Sequence, residues 1–65
     1  MLNQFELGVA YSAALIVRLH DQPGMAAEIL REAGLDRRNF SNCDDYEKES
    51  LRKLQGERGL NLYGL

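Results

Sequence analysis

The feature that most constrains the fold is the run from Phe5 to Leu19, FELGVAYSAALIVRL, which reads as one helix that is apolar on more than one side. Residues three and four positions apart lie on the same face of an α-helix. With that spacing the run gives two apolar stripes, which together cover well over half of the helix circumference. The first stripe contains Phe5, Val9, Ala13, Ile16 and Leu19, and the second contains Leu7, Tyr11, Ala14, Leu15 and Arg18.

A chain of 65 residues has little else with which to cover such a helix. A domain of this size buries roughly 60% of the surface of its unfolded chain and is only marginally stable, so small domains usually add disulfides, a metal or oligomerisation. An intrachain disulfide is excluded because Cys43 is the only cysteine. A structural zinc site needs about four Cys or His ligands, and only Cys43 and His20 are present. Oligomerisation is the remaining way for this chain to gain stability.

The sequence therefore predicts a homodimer or higher homo-oligomer packed through the first helix. In this arrangement the other helices pack across the first stripe and the second stripe meets the partner. The alternative is a compact monomer in which both stripes form the core. The residues predicted to form the partner interface are Leu7, Tyr11, Ala14, Leu15 and Arg18.

The predicted fold class is all-α, a single small three-helix domain. Capping residues and glycines place the helices at about 3–20, 23–33 and 43–57, followed by an apolar tail at 60–65. Alternation of Leu60 and Leu62 permits a short extended segment in that tail, but does not by itself indicate a sheet.

Local signals support these boundaries. Asn3 and Glu6 have the spacing of a capping box, in which each side chain bonds the other residue's backbone N–H. Gly34 suits the left-handed position that follows a helix, with Leu35 then packing on Leu30. Ser41 and Asp44 have a similar capping spacing at the start of the third helix.

Composition excludes several classes of protein. The net charge is −2, which gives no general attraction to nucleic acid or anionic lipid. The apolar centre of the first helix is shorter than the about 20 residues that span a bilayer. The N-terminus lacks the basic region of a signal peptide, and a lone cysteine suits a reducing cytoplasm. We expect a cytoplasmic protein with no membrane segment.

No constellation of residues indicates catalysis, a metal or a cofactor. Cys43, Asp44 and Asp45 form the one cluster with ligand chemistry, and capping acids at a helix start explain it. A thiol at a helix N-terminus can have a lowered pKa, but no base lies beside it in sequence. The carboxylates Asp44 and Asp45 diverge by roughly 100° on a helix, so they do not form an acid–base pair.

An alternative from another class is a small DNA-binding regulator in which residues 26–43 form a helix-turn-helix. Gly34 would then be the turn glycine. The second helix would present Arg37, Arg38 and Asn39 to nucleic acid, residue types that contact phosphates and bases. The acidic start of the third helix argues against it.

Two segments, MLNQFELGVAYSAALI and MAAEILREAGL, are similar to short accessory open reading frames of lambdoid phages and prophages. The resemblance implies a small, all-helical cytoplasmic protein of a bacterial host. It also implies a role in modulating host or phage proteins by binding. The function expected from the sequence is accordingly a non-enzymatic protein-interaction or assembly module.

Overall fold

The computed structural model describes the whole chain from Met1 to Leu65. It contains three α-helices and one short 3-10 helix, and no strand longer than a single parallel bridge between Asn39 and Tyr63. The predicted small three-helix, all-α fold is confirmed. The elements are α1 at Gln4–His20, α2 at Pro23–Glu32, α3 at Asp45–Arg52 and the 3-10 helix at Glu57–Gly59.

The start of α1 has the capping box that its sequence predicts. Oδ1 of Asn3 accepts a hydrogen bond from the backbone N–H of Glu6 at 2.8 Å. In return, Oε1 of Glu6 accepts one from the backbone N–H of Asn3 at 2.9 Å. Two backbone donors that have no partner inside the helix are thereby satisfied. The helix ends at Asp21, which adopts a left-handed conformation with a φ of 50°.

The stop of α2 is also as predicted. Gly34 has a φ of +75°, a left-handed conformation that a residue without a Cβ adopts at little cost. The backbone N–H of Leu35 donates to the carbonyl of Leu30 at 2.9 Å, and that of Gly34 donates to Arg31 at 3.0 Å. These two bonds define a Schellman motif. Leu30 and Leu35 are both fully buried, as the predicted packing between them requires.

The third helix is shorter than the predicted 43–57. Its N-cap is Asp44 rather than Ser41, because Oδ1 of Asp44 accepts from the backbone N–H of Glu47 at 2.7 Å. The helix ends at Arg52, and the chain turns at Gly56, where φ is +82°. The backbone N–H of Gly56 then bonds the carbonyl of Leu60 at 2.8 Å, so the chain doubles back instead of continuing the helix.

The core lies between α1 and the rest of the chain. The side of α1 that packs against α2 and α3 contributes small residues, which let the neighbouring backbones approach closely. Larger side chains from the other elements fill the centre. The α1 residues are Ala10, Ala13, Ala14 and Val17, and the largest fully buried side chains are Leu30, Leu35, Phe40, Leu51, Leu54 and Leu60.

The apolar tail at 60–65 is docked. Leu60 and Leu62 are buried. The side-chain amide of Gln55 donates to the carbonyl of Leu62 and its oxygen accepts from the N–H of Leu62, both at 2.7 Å. Tyr63 exchanges backbone hydrogen bonds with Arg38 and Phe40 in the loop after α2. The tail is therefore part of the folded domain and packs beside the loop after α2.

Candidate interaction surface

The side of α1 that faces away from the core is apolar and open. Phe5 is 76% exposed and Leu19 is 65% exposed. Gly8 and Ser12, which lie between them on the same face, are exposed as well. No charged side chain interrupts this surface. We call it the outer face, and it consists of the exposed Phe5, Gly8, Ser12 and Leu19 with the half-buried Leu15. Val9 and Ile16 flank it, are half-buried and pack against the core.

The second helix extends this surface. Met25 is 52% exposed, and Ile29 is half-buried beside it. With Val9 they line an open groove of about 430 Å³ between α1 and α2, whose lining also includes Ala33 and the acidic Glu28 and Glu32. Glu28 is paired with Arg58, which lies outside the groove. The surface thus spans two adjacent helices, and two acidic side chains line the groove between them.

The predicted interface residues are only partly on this surface. Ala14 is completely buried, so its assignment to a partner interface is wrong. Leu15 belongs to the outer face, whereas Leu7 is half-buried at the edge of the core. Tyr11 is 48% exposed. Arg18 points to α3, where its guanidinium carbon lies 4.4 Å from the ring centre of Tyr46.

The predicted core stripe is right in part. Ala13 is buried, and Val9 and Ile16 pack against the core, but Phe5 and Leu19 are largely exposed. The buried side of α1 is centred on Ala10 and Val17, roughly a quarter turn from each predicted stripe. The signal that sequence reasoning missed is the set of alanines, which mark the side where another helix approaches most closely. Ranking residues by hydrophobicity alone assigned the bulky side chains to the core.

The helix-turn-helix geometry is wrong, because no helix lies between Glu32 and Asp45. The segment that would form the recognition helix consists of turns. Arg38 is engaged by Glu6 through two hydrogen bonds, at 2.8 and 3.0 Å. Oδ1 of Asn39 accepts from the backbone N–H of Ser41 at 2.7 Å. Arg37 is exposed in a left-handed conformation.

The titratable groups with shifted pKa values have structural roles. The hydrogen bond from Arg38, helped by the backbone of Asn3, lowers the pKa of Glu6 below its ordinary value of 4.5. Burial raises the pKa of the Cys43 thiol, with Glu47 adding to the effect. A buried, protonated thiol is a poor nucleophile. No three His, Cys, Asp or Glu side chains come together as a metal-binding group would.

Comparisons with known proteins add no identity. No protein-family model matches the chain, and no curated protein or solved structure shows significant similarity to it. None of its helices combines the length and the hydropathy that crossing a bilayer requires.

Proposed function

We propose that this chain is a non-enzymatic protein-interaction or assembly module, and that it binds through the outer face of α1 together with Met25 and Ile29. The observation that supports this proposal is the exposure of Phe5 and Leu19 at the two ends of an uncharged helix face. Contiguous exposed apolar patches on small proteins are commonly binding sites. Removing such area from water contributes about 25 cal/mol per Å².

The first partner we propose is another copy of the chain, giving a homodimer. A marginally stable small domain gains stability from any partner that binds only its folded state. A second partner, a host or phage protein in the bacterial cytoplasm, follows from the resemblance to phage accessory reading frames. It would use the same face. The proposal includes no cofactor and no chemical step.

The test is a pair of variants measured by sedimentation equilibrium. Leu19→Asp places a charge on the outer face, and we expect it to abolish self-association while leaving the helical circular dichroism unchanged. The matched control is Tyr46→Asp, which changes an equally exposed apolar side chain on α3, away from that face. The control should associate like the parent. Equal behaviour of the two variants would contradict the proposed surface.

A further inference from the structure

We infer that the cleft between the last turn of α1 and the side of α3 binds a phosphate group, either as free phosphate or as a small phosphomonoester. The cleft has a volume of about 170 Å³. It is lined by Arg18 of α1 and by Tyr46, Glu49, Ser50 and Lys53. These residues lie outside the outer face, so the inference does not depend on the proposed function.

Four of the five lining residues come from one side of α3 and its C-cap. Tyr46, Glu49, Ser50 and Lys53 are spaced by three and four positions, which places them on one helix face. Helix α1 packs against α3, and Arg18 meets this face from the last turn of α1. The fold therefore brings polar side chains that are distant in sequence to one cleft.

The hydroxyl of Ser50 is the observation that points most directly to a ligand. Ser50 is 6% exposed and is the one polar residue among the buried residues of the chain. No side-chain hydrogen bond within the chain involves its hydroxyl. Since no sealed side-chain polar atom lacks a partner, this unbonded hydroxyl opens to the cleft that Ser50 lines. Polar groups of buried residues are ordinarily hydrogen-bonded, and a ligand in the cleft would supply the missing partner.

The two basic side chains of the cleft are also without partners. Neither Arg18 nor Lys53 forms an ion pair or a side-chain hydrogen bond within the chain. The guanidinium carbon of Arg18 lies 4.4 Å from the ring centre of Tyr46. That contact restrains the arginine through its face and leaves its N–H donors free. A side chain that is already restrained loses less conformational entropy when it binds a ligand.

The charges and donors of the cleft match phosphate better than a carboxylate. A phosphate group carries about 1.5 to 2 negative charges at neutral pH and offers three acceptor oxygens, so it can engage Arg18, Lys53 and the hydroxyl of Ser50 together. A carboxylate has one charge and two oxygens, which a single arginine satisfies. At about 30 Å³ per water in the liquid, the cleft holds roughly five or six waters, which is room for one phosphate ion.

One acidic side chain opposes the binding of an anion. Glu49 lines the cleft, is exposed, and forms no ion pair with Lys53 on the next turn. Two bases and one acid give the lining a net charge of +1. Removing the carboxylate should strengthen the binding of an anion, whereas it would weaken the binding of a cation. The effect of a substitution at Glu49 therefore reports the charge of the ligand.

Backbone amide chemical shifts of the isotope-labelled chain test the inference. Sodium phosphate is titrated in parallel with sodium chloride of equal ionic strength, so that general screening is the same in both. We expect amides near Arg18 and from Tyr46 to Lys53 to shift saturably with phosphate, with a dissociation constant of about 1 mM, and not with chloride.

A separate titration with glycerol phosphate distinguishes the two sources of the ligand. Tighter binding of glycerol phosphate supports a phosphomonoester, and tighter binding of inorganic phosphate supports the free ion. If neither compound produces a saturable shift at these amides by about 50 mM, well above the expected dissociation constant, the inference is overturned.

A matched pair of lysines separates the site from general charge attraction. Lys53→Gln should weaken phosphate binding about tenfold, because it removes a charge-assisted contact. Lys48→Gln removes the same charge from the same helix but outside the cleft, and should change the affinity by less than about twofold. Equal losses in the two variants would contradict the assigned site.

Two further variants test the chemistry of the cleft. Ser50→Ala breaks no hydrogen bond within the chain, so the fold is retained, and it should weaken phosphate binding about fivefold. Glu49→Gln should strengthen that binding by about two- to fivefold. The amide spectrum of each variant verifies that it is folded. Unchanged affinity in Ser50→Ala, or weaker binding in Glu49→Gln, would overturn the assignment.

Discussion

Two glycines in this chain, Gly8 and Gly34, have opposite roles, and substitution by alanine distinguishes them. Gly8 lies in the interior of α1, is exposed, and a Cβ there touches nothing. Gly34 has a φ of +75° and ends α2 in a conformation that other residues adopt with strain. The helix interior therefore tolerates an alanine that the helix stop does not.

We predict that Gly8→Ala stabilises the monomer by about 1 kcal/mol, because alanine has a higher helix propensity than glycine. Gly34→Ala is its matched control and should destabilise the fold by roughly 1–2 kcal/mol. Urea unfolding followed by circular dichroism, at low concentration so that association does not contribute, measures both. A loss of stability in Gly8→Ala would show that Gly8 makes contacts within one copy.

The ion pair between Glu6 and Arg38 ties α1 to the loop after α2, and it makes stability depend on pH. A carboxyl whose pKa is lower in the folded state stabilises the fold when it is ionised. The contribution of Glu6 is therefore present above its ordinary pKa of 4.5 and is lost as the pH falls through the lowered value. Burial raises the pKa of Glu47, so its contribution has the opposite sign.

Variants at these two positions should change the acid dependence in opposite directions. Glu6→Gln is expected to make the loss of stability below pH 4.5 shallower, since the group that gains a proton on unfolding is gone. Glu47→Gln should instead remove a gain in stability that the parent shows as the pH falls through the raised pKa of Glu47 toward 4.5. Urea midpoints measured at several pH values between neutrality and acid give the slopes. Parallel slopes for the two variants would contradict the assigned shifts.

At the scale of elements, the sequence predicted well the helix ends that are determined by interactions between residues close together in the chain. The capping box at Asn3 and Glu6 and the Gly34 stop involve residues within a few positions of each other. The end of α3 depends instead on Gly56 and Leu60, whose hydrogen bond forms only when the tail folds back. A pattern read along the chain contains no information about that return.

The hydrophobicity of α1 could not predict which side of the helix faces the core. Several faces of the helix are apolar, so the pattern does not select one of them. Close packing selects the side with Ala10, Ala13 and Ala14, because small side chains let α2 and α3 approach. Steric fit against α2 and α3 determines which side of α1 is buried, and this fit depends on contacts between residues far apart in sequence.

The docked tail should be essential to the fold. Leu60 is buried, and truncating a buried leucine to alanine typically costs about 2–5 kcal/mol. For a chain of this length the whole stability is of the order of 3–10 kcal/mol. We predict that Leu60→Ala lowers the free energy of unfolding by about 2–5 kcal/mol. A loss of that size would leave a large fraction of the chain unfolded at about 37 °C.

Thermal unfolding monitored by circular dichroism measures that loss. Leu19→Ala is the matched control, because it removes the same atoms from an exposed side chain and should change monomer stability by less than about 0.5 kcal/mol. If the two variants melt together at low concentration, the tail does not contribute to the core.

At the scale of the whole molecule, the same steric choice explains both the core and the open surface. Because alanines occupy the buried side of α1, the bulky side chains Phe5 and Leu19 are left outside. The core is closed by Phe40 and the leucines of the loop, α3 and the tail. The fold is complete as a single copy, yet it presents an uncharged helix face as long as α1 itself.

The central claim is that this face binds a second copy. Sedimentation equilibrium of the unmodified chain across the micromolar range tests it most directly. We expect the average mass to rise with concentration from 7.4 kDa to twice that value, and we expect Leu15→Asp to hold it at the monomer mass. A constant monomer mass for the unmodified chain across that range would contradict it.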